Sequence, residues 1–119
     1  MATIMLVNDG GLQRMLTKNI LKGEGYTVFE FEKAYKALRE YDDIRPDLVL
    51  LDDELPDRDG MDALTEFLEK DPNAQIVMMI GVSRMQQALE AMQAGAIGHV
   101  FQPINRKELL DTVNDILGE

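Results

Sequence analysis

Arg45-Pro46-Asp47-Leu48-Val49-Leu50-Leu51-Asp52 is the stretch from which the rest of the chain is read. Four apolar residues in succession, entered through a proline turn, read as a β-strand covered on both faces. Burial on both faces is the mark of a parallel sheet. In an open parallel sheet, ligands and chemistry collect just beyond the carboxyl ends of the strands. Asp52 therefore stands where such a sheet does its work, and its role depends on what joins it there.

Outward from this strand the pattern alternates between two periods. Thr3 to Val7 is a short apolar strand. Leu12, Met15, Leu16 and Ile20 recur at helical spacing, and Gly23 and Gly25 are stop signals. Tyr26 to Phe31 reads as strand; Ala34, Ala37, Leu38 and Tyr41 form a helical stripe. After Leu48 to Leu51, a helix is marked by Met61, Leu64, Phe67 and Leu68 and stops near Asp71-Pro72. Ile76 to Ile80 is the fourth strand. Met85, Ala88, Leu89 and Met92 mark the fourth helix, closed by Gly95. Gly98 to Phe101 is a fifth strand, and Leu109, Leu110, Val113, Ile116 and Leu117 mark the last helix. Met78, Met79, Met85 and Met92 read as core filling, and Ser83 as the N-cap of the fourth helix. Five strand–helix units joined by right-handed crossovers make an open, doubly wound parallel sheet with helices on both faces. Nothing low in complexity interrupts it, so residues 1–119 are expected to form a single domain.

Composition narrows the function. The formal net charge of -10, with no useful Lys/Arg cluster, argues against a nucleic-acid surface. There is no cysteine, which excludes disulfides and thiolate metal sites. The longest apolar run, Ile76 to Ile80, is far too short to span a membrane. The N-terminus lacks the pattern of a signal peptide, so a cytoplasmic protein is expected.

The loops after the strands hold the candidate site. Asn8-Asp9-Gly10-Gly11 follows the first, Asp52-Asp53-Glu54-Leu55-Pro56 and Asp57-Arg58-Asp59-Gly60 the third, Gly81-Val82-Ser83 the fourth, and Gln102-Pro103 the fifth. Strands one and three should be central neighbours, which brings Asp9 and Asp52 together. Alternation along an extended chain turns Asp52 and Glu54 one way and Asp53 the other. Two carboxylates and a carbonyl suit a hard cation such as Mg²⁺. The same acids also fit a purely local role, with Asp9 capping the first helix and Asp59-Gly60 shaping the entry to the third.

From Ile4 to Leu117 the chain resembles a response-regulator receiver domain, the phosphoaccepting module of two-component signalling. The specific features are Pro46 to Asp52, Leu55-Pro56, Asp59-Gly60, Ala94-Gly95-Ala96 and Pro103. The resemblance implies an α/β, flavodoxin-like, doubly wound five-stranded parallel sheet of order 2-1-3-4-5 with five helices. It implies Asp52 as phosphoacceptor and Mg²⁺ held by Asp9, Asp52 and the backbone carbonyl of Glu54. It implies phosphoryl transfer from a histidine kinase or a small phosphodonor, and a signalling module rather than an enzyme. A downstream protein would dock on helix 4, strand 5 and helix 5, where Met85, Gln86, Glu90, Gln93 and Arg106 are exposed candidates. No nucleic acid or membrane is expected as partner. A cis Gln102–Pro103 bond is also expected.

The chain departs from the family pattern at several positions. Asn8 replaces the first acid after strand one, where it can still hold a metal-bound water from the second shell. Ile80 stands where the family has Thr or Ser, Gln102 where it has Lys, and His99 at its aromatic switch position. Exchanging a charge-assisted contact for a neutral one loses roughly 1–2 kcal/mol, and a missing hydroxyl contact about 1 kcal/mol. Typical coupling between sites is only about 1–3 kcal/mol. The reading is thus a receiver that accepts phosphate at Asp52 with a degraded switch. The alternative is a phosphorylation-independent pseudo-receiver that acts by protein interaction, as a stand-alone protein or as one domain of a longer one. Two other classes share the fold or the nucleophile. An FMN-binding electron carrier would need a phosphate cradle where Asn8-Asp9 lies, and the chain has no tryptophan to stack on flavin. A metal-dependent phosphohydrolase would use Asp52 with Glu54, but no lysine stands ready at the matching strand ends. His99 also reads as a half-exposed strand histidine without a special role.

Overall fold

The computed structural model describes residues 2–118. Its elements are β1 (Thr3–Val7), α1 (Gly11–Gly23), β2 (Thr27–Phe31), α2 (Ala34–Ile44), β3 (Leu48–Asp52), α3 (Gly60–Lys70), β4 (Ile76–Gly81), α4 (Gln87–Gln93), β5 (Gly98–Gln102) and α5 (Arg106–Leu117). A single 3₁₀ turn, Val82–Arg84, lies between β4 and α4. The sheet has order β2-β1-β3-β4-β5, all pairs parallel, so the flavodoxin-like order expected from the resemblance is what the chain adopts.

Every residue of β3 is buried, which is why its sequence is a continuous apolar run. Alternate side chains feed two cores. Val49, Leu51, Met78 and Ile80 pack with Ala37, Leu64, Phe67 and Ala91, the face covered by α2, α3 and α4. Leu48, Leu50, Val77, Met79 and Val100 pack with Leu21, Leu109 and Val113, the face covered by α1 and α5. Among the described residues no helix is long and apolar enough to cross a membrane.

Helical periodicity located α1 and α4 but not their inward faces. In α1 the buried residues are Thr17 and Leu21, while Leu12, Met15 and Leu16 are exposed, Leu12 by 64%. In α4, Ala91 is buried and Leu89 is 67% exposed; Met85 and Met92 are exposed too, so of the four methionines only Met78 and Met79 fill core. The causes differ: α4 is short and seats Ala91, so its larger apolar side chains flank the contact, whereas α1 seats Thr17 and Leu21 and carries apolar residues on more than one side.

Two expected caps are also corrected. Ser83 lies inside the 3₁₀ turn, and α4 starts after Gln86 without a side-chain cap. The N-cap of α1 is Gly10, not Asp9, and Asn8 Oδ1 accepts the Gly10 N–H at 2.8 Å. The cap at α3 is as expected: Asp59 accepts from the Met61 N–H at 2.8 Å. The Gln102–Pro103 bond is cis, as expected.

Candidate functional site

The residues on the α1/α5 face of the sheet run out to its carboxyl edge as Asn8 after Leu6, Asp52 after Leu50 and Gln102 after Val100. The carboxyl ends of β1, β3 and β5, the last reaching past β4, thus deliver an amide, a carboxylate and an amide to one place. The Gln102 amide donates to Asp52 Oδ1 at 3.1 Å and to the Met79 carbonyl at 3.2 Å, and its Oε1 accepts from Asn8 Nδ2 at 3.3 Å. The Glu54 N–H also donates to Asp52 Oδ1, at 3.2 Å. Asn8 is fully buried, and Asp52 is only 6% exposed.

Burial sets the chemistry of Asp52. Desolvation disfavours its charged form and pushes the carboxyl up to about 7, the nearby Asp53 carboxylate pushing the same way. The hydrogen bonds from Glu54 and Gln102 favour the carboxylate but do not outweigh burial. A positive charge brought to this carboxylate would therefore find a partner whose charge is poorly compensated.

Asp9 lies on the rim, exposed, and among the described residues its carboxylate has no hydrogen-bond or ion-pair partner. No three His, Asp or Glu side chains gather at metal-ligand spacing among the described residues. Ile80 is fully buried on the opposite face, in the core under α2, α3 and α4. His99 is half-buried, meets the Phe101 ring edge-on at 5.2 Å, and its Nδ1 has no hydrogen-bond partner.

The sequence reading separated Asp53 from Asp52 and paired Glu54 with Asp52; the structure does otherwise. The strand ends at Asp52 and the chain turns, so Asp53 is also buried while Glu54 is exposed. Asp53 and Glu54 share Arg84, which that reading missed. Arg84 Nε and Nη2 donate to Asp53 at 2.9 and 3.0 Å, and Nη2 lies 3.1 Å from Glu54 Oε1. The available signal was a basic residue just past β4, opposite three consecutive acids. Asp57 was also overlooked: its carboxylate accepts the Ala34 and Tyr35 N–H groups, both at 3.0 Å, at the start of α2. The loop after β3 is thereby tied to a neighbouring helix. Gly60 lets the same loop fold tightly, since a Cβ there would sit 2.3 Å from the Asp52 carbonyl oxygen.

A five-stranded parallel sheet with a buried acid at the end of its central strand, ringed by loop acids, defines a class of small α/β modules whose site lies at the sheet's carboxyl edge. Comparison with known proteins places the chain within that class. The response regulator receiver domain profile matches residues 4–114, and the chain belongs to this family of two-component signalling domains. It is 33% identical over 115 residues to a chemotaxis protein CheY from Bacillus subtilis, covering 96% of each chain. Its fold superimposes with a TM-score of 0.91 on the receiver domain of NtrX from Brucella abortus, at 29% identity over 97% of this chain and 98% of that one. It also matches, with a TM-score of 0.88 and 24% identity over 99% and 98% of the two chains, the receiver domain of a sensor histidine kinase from Pseudomonas aeruginosa, solved with magnesium in its active-site cleft.

Proposed function

We propose that this receiver domain accepts a phosphoryl group on Asp52, from a histidine kinase or a small phosphodonor, with a divalent cation held by Asp9, Asp52 and the Glu54 carbonyl. The observation that carries the reading is Asp52 itself: a buried carboxylate at the end of the central strand, oriented by the Gln102 amide and the Glu54 N–H. Family membership favours it over the flavin-carrier and hydrolase alternatives.

The donor set fits a hard cation, since it is all oxygen and includes an unpaired carboxylate on Asp9. A bound magnesium ion supplies positive charge that lets the acceptor carboxylate and the phosphoryl oxygens approach. The protein's own part is positional. Gln102 and Glu54 both donate to Oδ1 of Asp52, which leaves Oδ2 as the attacking oxygen. Oδ2 attacks phosphorus in line; the bond from phosphorus to the donor's leaving oxygen breaks, and that oxygen departs with the electron pair. With acetyl phosphate the products are the Asp52 acyl phosphate and acetate.

The output is proposed to run through α4, β5 and α5, where Met85, Gln86, Glu90, Gln93 and Arg106 are exposed to a protein partner. One observation supports the second reading, a pseudo-receiver. Gln102 closes a network with Asn8, Asp52 and Met79 in the unmodified protein, so its amide is satisfied without a phosphoryl group. Intact mass after incubation with acetyl phosphate and Mg²⁺ separates the two. Gain of one phosphoryl group, absent in Asp52→Asn, supports the acceptor; an unchanged mass supports the pseudo-receiver.

A further inference from the structure

The Arg84 cluster is the one strongly charged group at this site that phosphoryl acceptance does not use. Asp53 has a side chain 1% exposed, and its carboxylate is gripped through two oxygens by Arg84. The Gly81 N–H points at the same carboxylate from 3.4 Å. Gly81 also makes room for the guanidinium, because a Cβ at that position would stand 3.1 Å from Arg84 Nη2. The whole arrangement sits beside Asp52, whose charge acts on Arg84 along with those of Asp53 and Glu54.

The cation is not fully spent. Nε and Nη2 hold Asp53 and Glu54, but Nη1 has no partner among the described residues. The Glu54 contact is the weak one, because that side chain is 73% exposed and screened by water. Arg84 belongs to the 3₁₀ turn Val82–Arg84, flanked by exposed Val82 and Met85, so little packing holds it.

Modifying Asp52 changes the balance around this guanidinium. A phosphoryl group exchanges one negative charge for about two and brings three strong acceptor oxygens. Guanidinium groups favour such oxygens through parallel, charge-assisted hydrogen bonds. At the strand end where a lysine would stand, Gln102 offers a neutral amide, and Ile80 is turned into the core.

We propose that Arg84 is the cation of this site that answers the phosphoryl group: clamped at rest by Asp53 and Glu54, it exchanges Glu54 for phosphoryl oxygens once Asp52 is modified and draws the Val82–Arg84 turn with it. Arg84 is then a positioning residue that carries the modification to the β4–α4 connection. Asp53 is its resting holder and a competitor for its donors. This assignment rests on the phosphoacceptor reading of Asp52.

The test uses beryllofluoride with Mg²⁺ as phosphoryl probe, beside the intact-mass measurement with acetyl phosphate. Affinity is read by titration, and the turn by hydrogen exchange of the amides from Val82 to Gln93. Arg84→Gln is expected to weaken beryllofluoride about 10- to 100-fold, the range of a lost charge-assisted contact, and to abolish the change in exchange. Asp53→Asn, which removes the competitor, is expected to tighten binding several-fold. Should Arg84→Gln not fold because Asp53 is left buried without its cation, Asp53→Asn/Arg84→Gln is compared with Asp53→Asn alone, and the same loss is expected. Phosphorylation in the wild type with equal probe affinity and equal exchange in the Arg84 variants overturns the proposal and leaves Arg84 a structural partner of Asp53. A wild type that takes neither phosphoryl group nor beryllofluoride overturns the phosphoacceptor reading, and this proposal with it.

Discussion

At the scale of single residues, Asp52 links stability to pH. Its carboxyl is pushed up to about 7 by burial, against an ordinary value of 3.8. A group raised in the folded state favours folding fully below the unfolded pKa, and that contribution is lost as pH rises through the folded pKa. In metal-free protein the Asp52 contribution is therefore present near pH 4 and lost by about pH 7. Asp52→Asn keeps the shape and removes the buried charge. Urea unfolding in chelator should show the variant matching wild type near pH 4 and exceeding it at pH 8 by up to about 4 kcal/mol; a constant difference would refute this. Gln102 lends itself to a second measurement. Gln102→Lys places an ammonium beside Asp52. Beryllofluoride affinity should rise about tenfold, and an unchanged affinity would mean that this contact is not limiting. The positions of Asp52, Asn8 and Gln102 were legible because each is the polar residue that ends an apolar strand. The Asp53–Arg84 pair was not, since it joins residues 31 apart and exists only once β3 and β4 are neighbours and the chain has turned.

At the scale of elements, the loop between β3 and α3 is where backbone geometry decides most. Gly60 starts α3 against the backbone of Asp52 and Asp53, with 2.3 Å between a built Cβ and the Asp52 oxygen. Gly60→Ala must therefore move β3 or the helix. A loss of about 3 kcal/mol or more is expected in denaturant unfolding, with weaker beryllofluoride binding. The faces of α1 give a contrasting test. Leu12→Gln and Leu16→Gln should each shift stability by only about 0.5 kcal/mol, as both residues are exposed. Leu21→Ala, by contrast, should cost about 2–5 kcal/mol. Periodicity revealed that these helices exist, because apolar spacing survives whichever way a helix is turned. The inward face was hidden because α1 carries apolar residues on more than one side, and α4 docks through alanines that carry almost no hydropathic signal.

At the scale of the whole molecule, one sheet serves two cores that share its strands residue by residue. Phe67→Ala under α3 and Leu109→Ala under α5 act on opposite faces. Each should cost about 2–5 kcal/mol, the two should add to within about 0.5 kcal/mol, and unfolding should stay a single transition. Two separated transitions would mean that the faces unfold independently. This level was the most legible in the sequence: continuous burial of Leu48 to Leu51 requires helices on both sides, and strict strand–helix alternation with right-handed crossovers leaves few sheet orders. The hydrogen bonds that cross the sheet from Asn8 through Gln102 to Asp52 have a practical consequence. Both amides carry NH₂ groups whose paired nitrogen–proton resonances respond to their acceptors. The protein thus contains two isotopic reporters of the Asp52 carboxylate. Protonation, cation binding and covalent modification at Asp52 should each register as a distinct displacement of those signals, with no dye or tag introduced.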